Sequence, residues 1–125
     1  MPTSVKEMMA AARSAVPAIA PQEAAALAQS GKALIVDVRD GTEVRASGKA
    51  KGALHVSRGL IEFKADPESP MYDPKFQTDK TIILYCASGG RSALAGKTLK
   101  DLGYADVRNL GSFQDWLAAG GAVEP

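Results

Sequence analysis

The chain has 125 residues, 46% of them hydrophobic, and a formal net charge of +1 at pH 7. This length and composition predict one folded domain with a hydrophobic core. The near-zero charge argues against nucleic acid or an anionic membrane as the main partner. A single cysteine forms no internal disulfide, and no apolar run approaches the roughly 20 residues of a membrane span. We therefore expect a soluble, cytoplasmic protein.

A helix is predicted at the start of the chain, outside the main domain. Ser4 is followed three residues later by Glu7, the pattern of a capping box, and helical spacing extends to about Ser14. The expected apolar stripe of this helix is Val5, Met8, Met9 and Ala12. We expect residues 1–16 to be a helical extension that packs on the domain or frays, with a dimer contact as the alternative.

Strands and helices alternate along the rest of the chain, which predicts an α/β fold with a parallel sheet. Apolar runs without polar alternation predict buried parallel strands, and proline and glycine residues predict the helix limits. The predicted strands are residues 18–20 (an edge strand), 34–38, 53–56, 81–85 and 106–110. The predicted helices are residues 21–29, 59–64, 92–102 and 112–119, and a short one that ends at residue 46. The last helix is expected to carry Phe113, Trp116 and Leu117 inward.

The only cysteine, Cys86, is predicted to be the first residue of a small-residue loop between a strand and a helix. A helix start carries unpaired backbone N–H groups and about half a unit of positive charge. Gly89 and Gly90 allow the loop backbone to turn several amides towards one point. Such an environment, together with Arg91, lowers the pKa of a cysteine from about 8.5 and favours the reactive thiolate.

These features predict that Cys86 is catalytic and that the loop after it binds an anion. The anion-binding residues are expected to be Ala87, Ser88, Gly89, Gly90, Arg91 and Ser92. A lone cysteine more often only packs in the core, but the loop and Arg91 favour chemistry here. The side chain of Arg91 either contacts the substrate or braces the loop.

Three more polar residues stand where parallel strands end, the edge at which open α/β sheets build their sites. Asp37 and Arg39 close the second predicted strand, and Arg58 follows the third. Asp37 is expected to hold a neighbouring loop or pair with Arg39, and Arg58 to be solvated, with a role in the site as the alternative. His55, the only histidine, lies within a strand, so we expect a structural role for it. The sequence has no metal-ligand cluster, and neither a metal nor a cofactor is expected.

The segment CASGGRS at residues 86–92, between an apolar strand and a helix, resembles the active-site loop of the single-domain rhodaneses, a family of sulfurtransferases. Three other segments resemble motifs of that family: LIVDVR at 34–39, GKAKGA at 48–53 and LGSFQDW at 110–116. The resemblance covers about residues 18–124 and implies a rhodanese-like domain over residues 17–125. Two positions differ, since many members have a charged residue at the place of Ala87 and a glycine at the place of Ser112.

The resemblance implies a five-stranded parallel sheet with helices on both faces, next to the N-terminal helix. It also implies that the Cys86 thiolate takes a sulfane sulfur from thiosulfate or a persulfide and becomes a persulfide itself. A thiol or cyanide would then accept the sulfur. The expected partners are a small sulfur-containing anion or thiol, and a protein that accepts sulfur is a further possibility.

Two other functions fit the same cysteine. A cysteine phosphatase or arsenate reductase of this fold has five residues between cysteine and arginine, whereas four separate Cys86 from Arg91. Ser92, which stands one position later, cannot replace an arginine. The second alternative is a persulfide carrier or sulfur-sensing module that is not an enzyme.

Overall fold

A parallel β-sheet forms the centre of the fold in the computed structural model, which describes residues 2–125. The strands are β1 (Ala33–Asp37), β2 (Lys49–Ala50), β3 (Leu54–His55), β4 (Thr81–Cys86), β5 (Val107–Ser112) and β6 (Val123–Glu124). The parallel sheet has the order β3-β1-β4-β5, so the strand that ends at Cys86 lies in its interior. β2 and β6 form a separate antiparallel pair that no sequence pattern predicted.

The central sheet has four strands within the described residues, and not the five that the resemblance implies. The predicted edge strand makes only one parallel bridge, between Ala18 and Asn109 of β5. The Asn109 N–H donates to the Pro17 carbonyl, and the Ile19 N–H donates to the Asn109 carbonyl. The pairing extends no further because Pro17 has no N–H to donate and the next helix begins at Pro21.

Helices cover both faces of the sheet. They are α1 (Val5–Ala15), α2 (Pro21–Gln29), α3 (Gly41–Ser47), α4 (Ile61–Ala65), α5 (Gly90–Asp101) and α6 (Phe113–Ala118), with a 3-10 turn at Arg58–Leu60 before α4. Because successive strand residues point to opposite faces, Leu84 packs with residues of α4 and α5, whereas Tyr85 packs with residues of α2 and α6. This arrangement confirms the α/β fold. Over residues 2–125, no helix is long and apolar enough to cross a membrane.

The N-terminal helix α1 begins with the predicted capping box and packs on α5. The Ser4 hydroxyl accepts the Glu7 N–H at 3.1 Å, and the Glu7 carboxylate accepts the Ser4 N–H at 3.2 Å. Ala12 is buried. Val16, just after the helix, lies so close to Gly96 of α5 that a Cβ at position 96 would be only 3.0 Å from its methyl groups. The absence of a side chain at Gly96 therefore allows the end of α1 to approach α5.

Three apolar side chains are exposed: two from the predicted apolar stripe of α1, and one that was expected to face inward from the last helix. Val5 and Met8 are 65% and 41% exposed, because α1 is buried near its C-terminal end rather than along its full length. Leu117 is 40% exposed. The helix that contains it, α6, has only six residues, and Phe113 and Trp116, three positions apart, already occupy its sheet-facing side.

Candidate active site

Cys86 is the last residue of β4, at the carboxyl edge of the sheet, and its side chain is fully buried. It packs in the same hydrophobic cluster as Leu84, on the face that α5 covers. After Cys86 the chain bends through Ala87 and Ser88, and α5 begins at Gly90. The sulfur therefore lies near the first turn of a helix, where backbone N–H groups have no partner within the helix.

A backbone N–H and a hydroxyl group contact the Cys86 sulfur. The Gly89 N–H donates to Sγ over 3.0 Å. The Ser92 hydroxyl oxygen lies 3.5 Å from Sγ. Burial raises the pKa of Cys86, but the Ser92 hydroxyl and the nearby backbone N–H groups of the loop lower it by more, so the pKa falls below its ordinary value. The surroundings of the sulfur thus favour the thiolate.

Gly89 permits this arrangement because its φ of 98° lies in the left-handed region that favours glycine. The residue also packs against the turn after Leu110, since a Cβ at position 89 would lie 3.4 Å from the Gly111 Cα. Gly111 has a positive φ as well, at 96°, whereas Ser112 is extended with a φ of −108°. The Ser112 hydroxyl accepts the N–H of Asp115 as the cap of α6. The serine that departs from the family pattern therefore occupies a position that does not need glycine.

The structure places the predicted anion-binding residues in different surroundings. The buried members are Gly89 and Ser92, the half-buried ones Gly90 and Arg91, and the exposed ones Ala87 and Ser88. The Ser88 side chain is exposed, and only the backbone of this residue contributes to lowering the pKa of Cys86. Among these residues, Ser92 is the one whose side chain hydrogen-bonds to Cys86.

The Arg91 guanidinium is bound by Glu43 of α3. Nη1 lies 2.7 Å from Oε1, and Nη2 lies 3.0 Å from Oε2. The hydrogen bond with Arg91 lowers the pKa of Glu43 to about 2, so this carboxylate is ionised at neutral pH. Of the two roles expected for Arg91, the geometry corresponds to bracing: it ties the start of α5 to α3. Nothing in the local sequence pattern pointed to Glu43 as its partner.

Asn109 of β5 is a second residue that the sequence reasoning missed. Its Oδ1 accepts the Ser92 hydroxyl at 2.8 Å and the Gly111 N–H at 2.9 Å. Its Nδ2 donates to the Gly89 carbonyl at 3.3 Å. Asn109 therefore holds both residues that hydrogen-bond to the Cys86 sulfur. The available signal was an asparagine inside an otherwise ordinary strand, where this residue type is depleted.

The hydrogen bonds that link Cys86, Ser92 and Asn109 can form in both protonation states of the sulfur. When Cys86 is a thiol, its S–H donates to the Ser92 oxygen, and the Ser92 hydroxyl donates to Asn109 Oδ1. When Cys86 is a thiolate, the Ser92 hydroxyl turns its single proton to the sulfur, and Asn109 Oδ1 retains the Gly111 N–H. No buried group loses its last partner in either state.

We expect Ser92→Ala to raise the pKa of Cys86, because it removes a hydrogen bond that stabilises the thiolate. A hydrogen bond to a charged group contributes about 1.5–3 kcal/mol. The measurement is the pH dependence of alkylation by iodoacetamide, whose inflection should move to higher pH. Ser88→Ala is the matched control, because the exposed Ser88 side chain makes no bond to the sulfur. Equal inflections for Ser92→Ala and the wild type would exclude this role of the hydroxyl.

Asp37 and Arg39 form a buried network on the opposite face of the sheet from the sulfur. The Asp37 side chain is fully buried and accepts both the N–H and the guanidinium of Arg39, the latter at 2.7 Å. It also accepts the Tyr85 hydroxyl at 2.6 Å, and that hydroxyl accepts the Ala50 N–H at 2.9 Å. Arg39 donates further to the Gly48 carbonyl at 2.8 Å. These bonds hold the turn at Gly48 and β2 against the strand that carries Cys86.

The other two polar candidates also make structural contacts. His55 Nε2 donates to the Arg39 carbonyl at 2.7 Å. Arg58 pairs with Glu62 of α4 at 3.1 Å and donates to the Thr98 hydroxyl of α5 at 3.2 Å. Among the bonds of the described residues, neither side chain reaches the Cys86 sulfur.

A surface groove of about 770 Å³ lies away from this loop. It is lined by small residues of α2, by the start of β1 and by Trp116, and it contains no residue from 86 to 92. Ala33, in its lining, pairs with Thr81 at the opposite end of β4 from Cys86. The groove is therefore separate from the cysteine site.

The chain resembles known proteins over most of its length. The model of the rhodanese-like domain matches residues 20–119. A human thiosulfate:glutathione sulfurtransferase is 28% identical over 81% of this chain and 93% of its own length. The solved polysulfide-sulfur transferase homodimer of Wolinella succinogenes is 31% identical with a TM-score of 0.73, and the match covers 94% of this chain and 85% of that one. A solved Rhodopseudomonas palustris protein of unknown function, described as a possible tyrosine phosphatase, is 40% identical with a TM-score of 0.86 and 99% coverage of both chains.

Proposed function

Since the chain belongs to the rhodanese-like domain family, we propose that it is a sulfurtransferase in which Cys86 carries the transferred sulfur as a persulfide. The observation that carries the proposal is that the Gly89 N–H and the Ser92 hydroxyl both lie within hydrogen-bond distance of the Cys86 sulfur, at the start of α5. Donors held in place around an anion stabilise it without having to reorganise during the reaction. The names of the human and Wolinella relatives, both sulfur transferases, support the same assignment.

The proposed reaction has two half-reactions. The Cys86 thiolate attacks the sulfane sulfur of thiosulfate, a new S–S bond forms, and sulfite leaves with the electron pair of the broken S–S bond. A thiolate or cyanide then attacks the outer sulfur of the Cys86 persulfide, and the Cys86 thiolate leaves. The Gly89 N–H and the Ser92 hydroxyl stabilise the anionic sulfur in each step. No general base is needed, because the lowered pKa already favours the thiolate.

The proposal assigns this chemistry to residues 17–125 and a packing role to the extension at residues 1–16. The family match from residue 20 onward supports that division. A catalytic thiolate needs reducing surroundings, so we place the reaction in the cytoplasm.

The Rhodopseudomonas neighbour, described as a possible tyrosine phosphatase, supports the phosphatase alternative. Two features of the loop nevertheless favour sulfur transfer. Four residues separate Cys86 from Arg91, one fewer than in the cysteine phosphatases. The Arg91 guanidinium is already bound by both oxygens of Glu43, so it is not free to hold a phosphoryl group. Hydrolysis of p-nitrophenyl phosphate that is lost in Cys86→Ser would favour the phosphatase.

The test of the proposal is the intact mass of the protein after exposure to thiosulfate. We expect a gain of one sulfur atom, and its loss on addition of cyanide, because cyanide removes the outer sulfur as thiocyanate. Steady-state turnover with thiosulfate and a thiol distinguishes an enzyme from a carrier, which would be loaded once without turning over. A folded protein that gains no sulfur from thiosulfate or from a persulfide would contradict the assignment.

A further inference from the structure

Glu43 is held in one orientation at the rim of the cysteine loop. Its carboxylate binds both terminal nitrogens of Arg91, the second residue of α5. Glu43 Oε1 also accepts the Asp40 N–H at 3.1 Å, which completes a capping box at the start of α3. The two side chains of the ion pair are 35% and 34% exposed. This fixed pair therefore stands between solvent and the first turn of α5.

Each arginine that follows a strand or the cysteine loop at this edge of the sheet has a carboxylate partner. Arg39 pairs with Asp37, Arg58 with Glu62, and Arg91 with Glu43. Asp40, which is exposed, adds a further negative charge near Arg91. The anion-binding capacity around the sulfur therefore comes from backbone dipoles and the Ser92 hydroxyl, and the uncharged Ala87 adds nothing to it.

We propose that Glu43 determines the anion selectivity of the site: by neutralising Arg91, it disfavours dianionic sulfur donors relative to donors with a single charge. The proposal rests on the proposed sulfur transfer for its biological meaning, although the effect on Cys86 can be measured without it. Glu43 acts at a distance through charge and does not touch the reacting sulfur. The substrates that this arrangement favours are persulfides and thiosulfonates over thiosulfate.

The test compares two pairs of reagents that differ by one charge. Iodoacetate and iodoacetamide alkylate the same thiolate, but only the first is an anion. Thiosulfate and methanethiosulfonate both donate a sulfane sulfur, but thiosulfate is a dianion and methanethiosulfonate is a monoanion. Their leaving groups are sulfite and methanesulfinate. For each pair, the ratio is the rate with the more negatively charged reagent divided by the rate with the other. This ratio reports the electrostatic potential at Cys86 and cancels effects that are common to both reagents.

Glu43→Gln should raise both ratios roughly three-fold at low ionic strength, because the charge of Arg91 is then uncompensated. Added salt should reduce the gain, since ions screen partly exposed charges. Glutamine can still accept from Arg91 and from the Asp40 N–H, so the capping box is retained. Asp101→Asn is the matched control: Asp101 pairs with Lys97 at the far end of the same helix, and both ratios should change much less.

Arg91→Gln gives an independent check if Glu43→Gln folds poorly. It leaves the Glu43 charge uncompensated, so both ratios should fall below the wild-type values. The double variant restores the original net charge and should return close to the wild type. Ratios in Glu43→Gln and Arg91→Gln that both equal the wild type would overturn the proposal. Absence of sulfur uptake from either donor by the wild type would instead overturn the proposed function, while the alkylation ratios would still decide the role of Glu43.

Discussion

Cys86→Ser should reduce sulfur transfer to the uncatalysed background, a loss of at least about three orders of magnitude. The chain has no second cysteine that could take over, and a serine hydroxyl neither ionises near neutral pH nor forms a persulfide. The fold should survive, because the serine oxygen can accept the Gly89 N–H that now bonds to the sulfur. The measurements are turnover with thiosulfate and a thiol, and the intact mass after exposure to the donor.

The control for this variant is Ser88→Ala, which changes a side chain in the same loop but not its backbone donors. It should retain most of the activity and gain one sulfur atom like the wild type. Turnover above background in purified Cys86→Ser would mean that sulfur transfer does not pass through this residue.

Asp37→Ala should destabilise the protein by about 3–5 kcal/mol, the typical effect of removing one partner from a buried ion pair. Asp37 and Arg39 are 0% and 4% exposed, so the variant leaves a buried guanidinium without its main acceptor. It also leaves the Tyr85 hydroxyl without the carboxylate to which it donates. Urea unfolding, with its midpoint and slope, measures the difference in the free energy of unfolding.

A double variant separates the ion-pair effect from loss of packing. Asp37→Ala with Arg39→Met has no uncompensated charge and should be more stable than Asp37→Ala alone. Tyr85→Phe should have a smaller effect, about 1–2 kcal/mol, because it removes one hydroxyl and retains the ion pair. A loss below about 1 kcal/mol for Asp37→Ala would show that water or another group compensates Arg39.

Local sequence patterns predicted most of the helices and strands. The Ser4–Glu7 capping box, the proline that begins α2 and the apolar run of β4 each act through residues a few positions apart. Such short-range preferences are strong enough to be read from spacing alone. The same holds for the loop after β4, where small residues before a helical pattern predicted the strand, turn and helix around Cys86.

The partners of the site residues were decided by the tertiary structure. Glu43 and Arg91 are 48 positions apart, and Ser92 and Asn109 are 17 apart. Their encounters depend on how α3, α5 and β5 pack. The spacing within each segment carries no information on that packing. The sequence therefore did not decide whether Arg91 contacts the substrate or braces the loop, and it did not point to Asn109.

The sheet edges show the same division between local and long-range causes. The prolines near Ala18 allowed a short extended segment to be predicted from the sequence alone. The single bridge to Asn109, in place of a fifth strand, depends on the position of β5. Likewise the pairing of β2 with β6 joins residues more than seventy positions apart. Hydrogen bonds between distant strands depend on the packing that holds those strands together. Local patterns therefore predicted the elements, whereas the packing of the core decided which side chains surround Cys86.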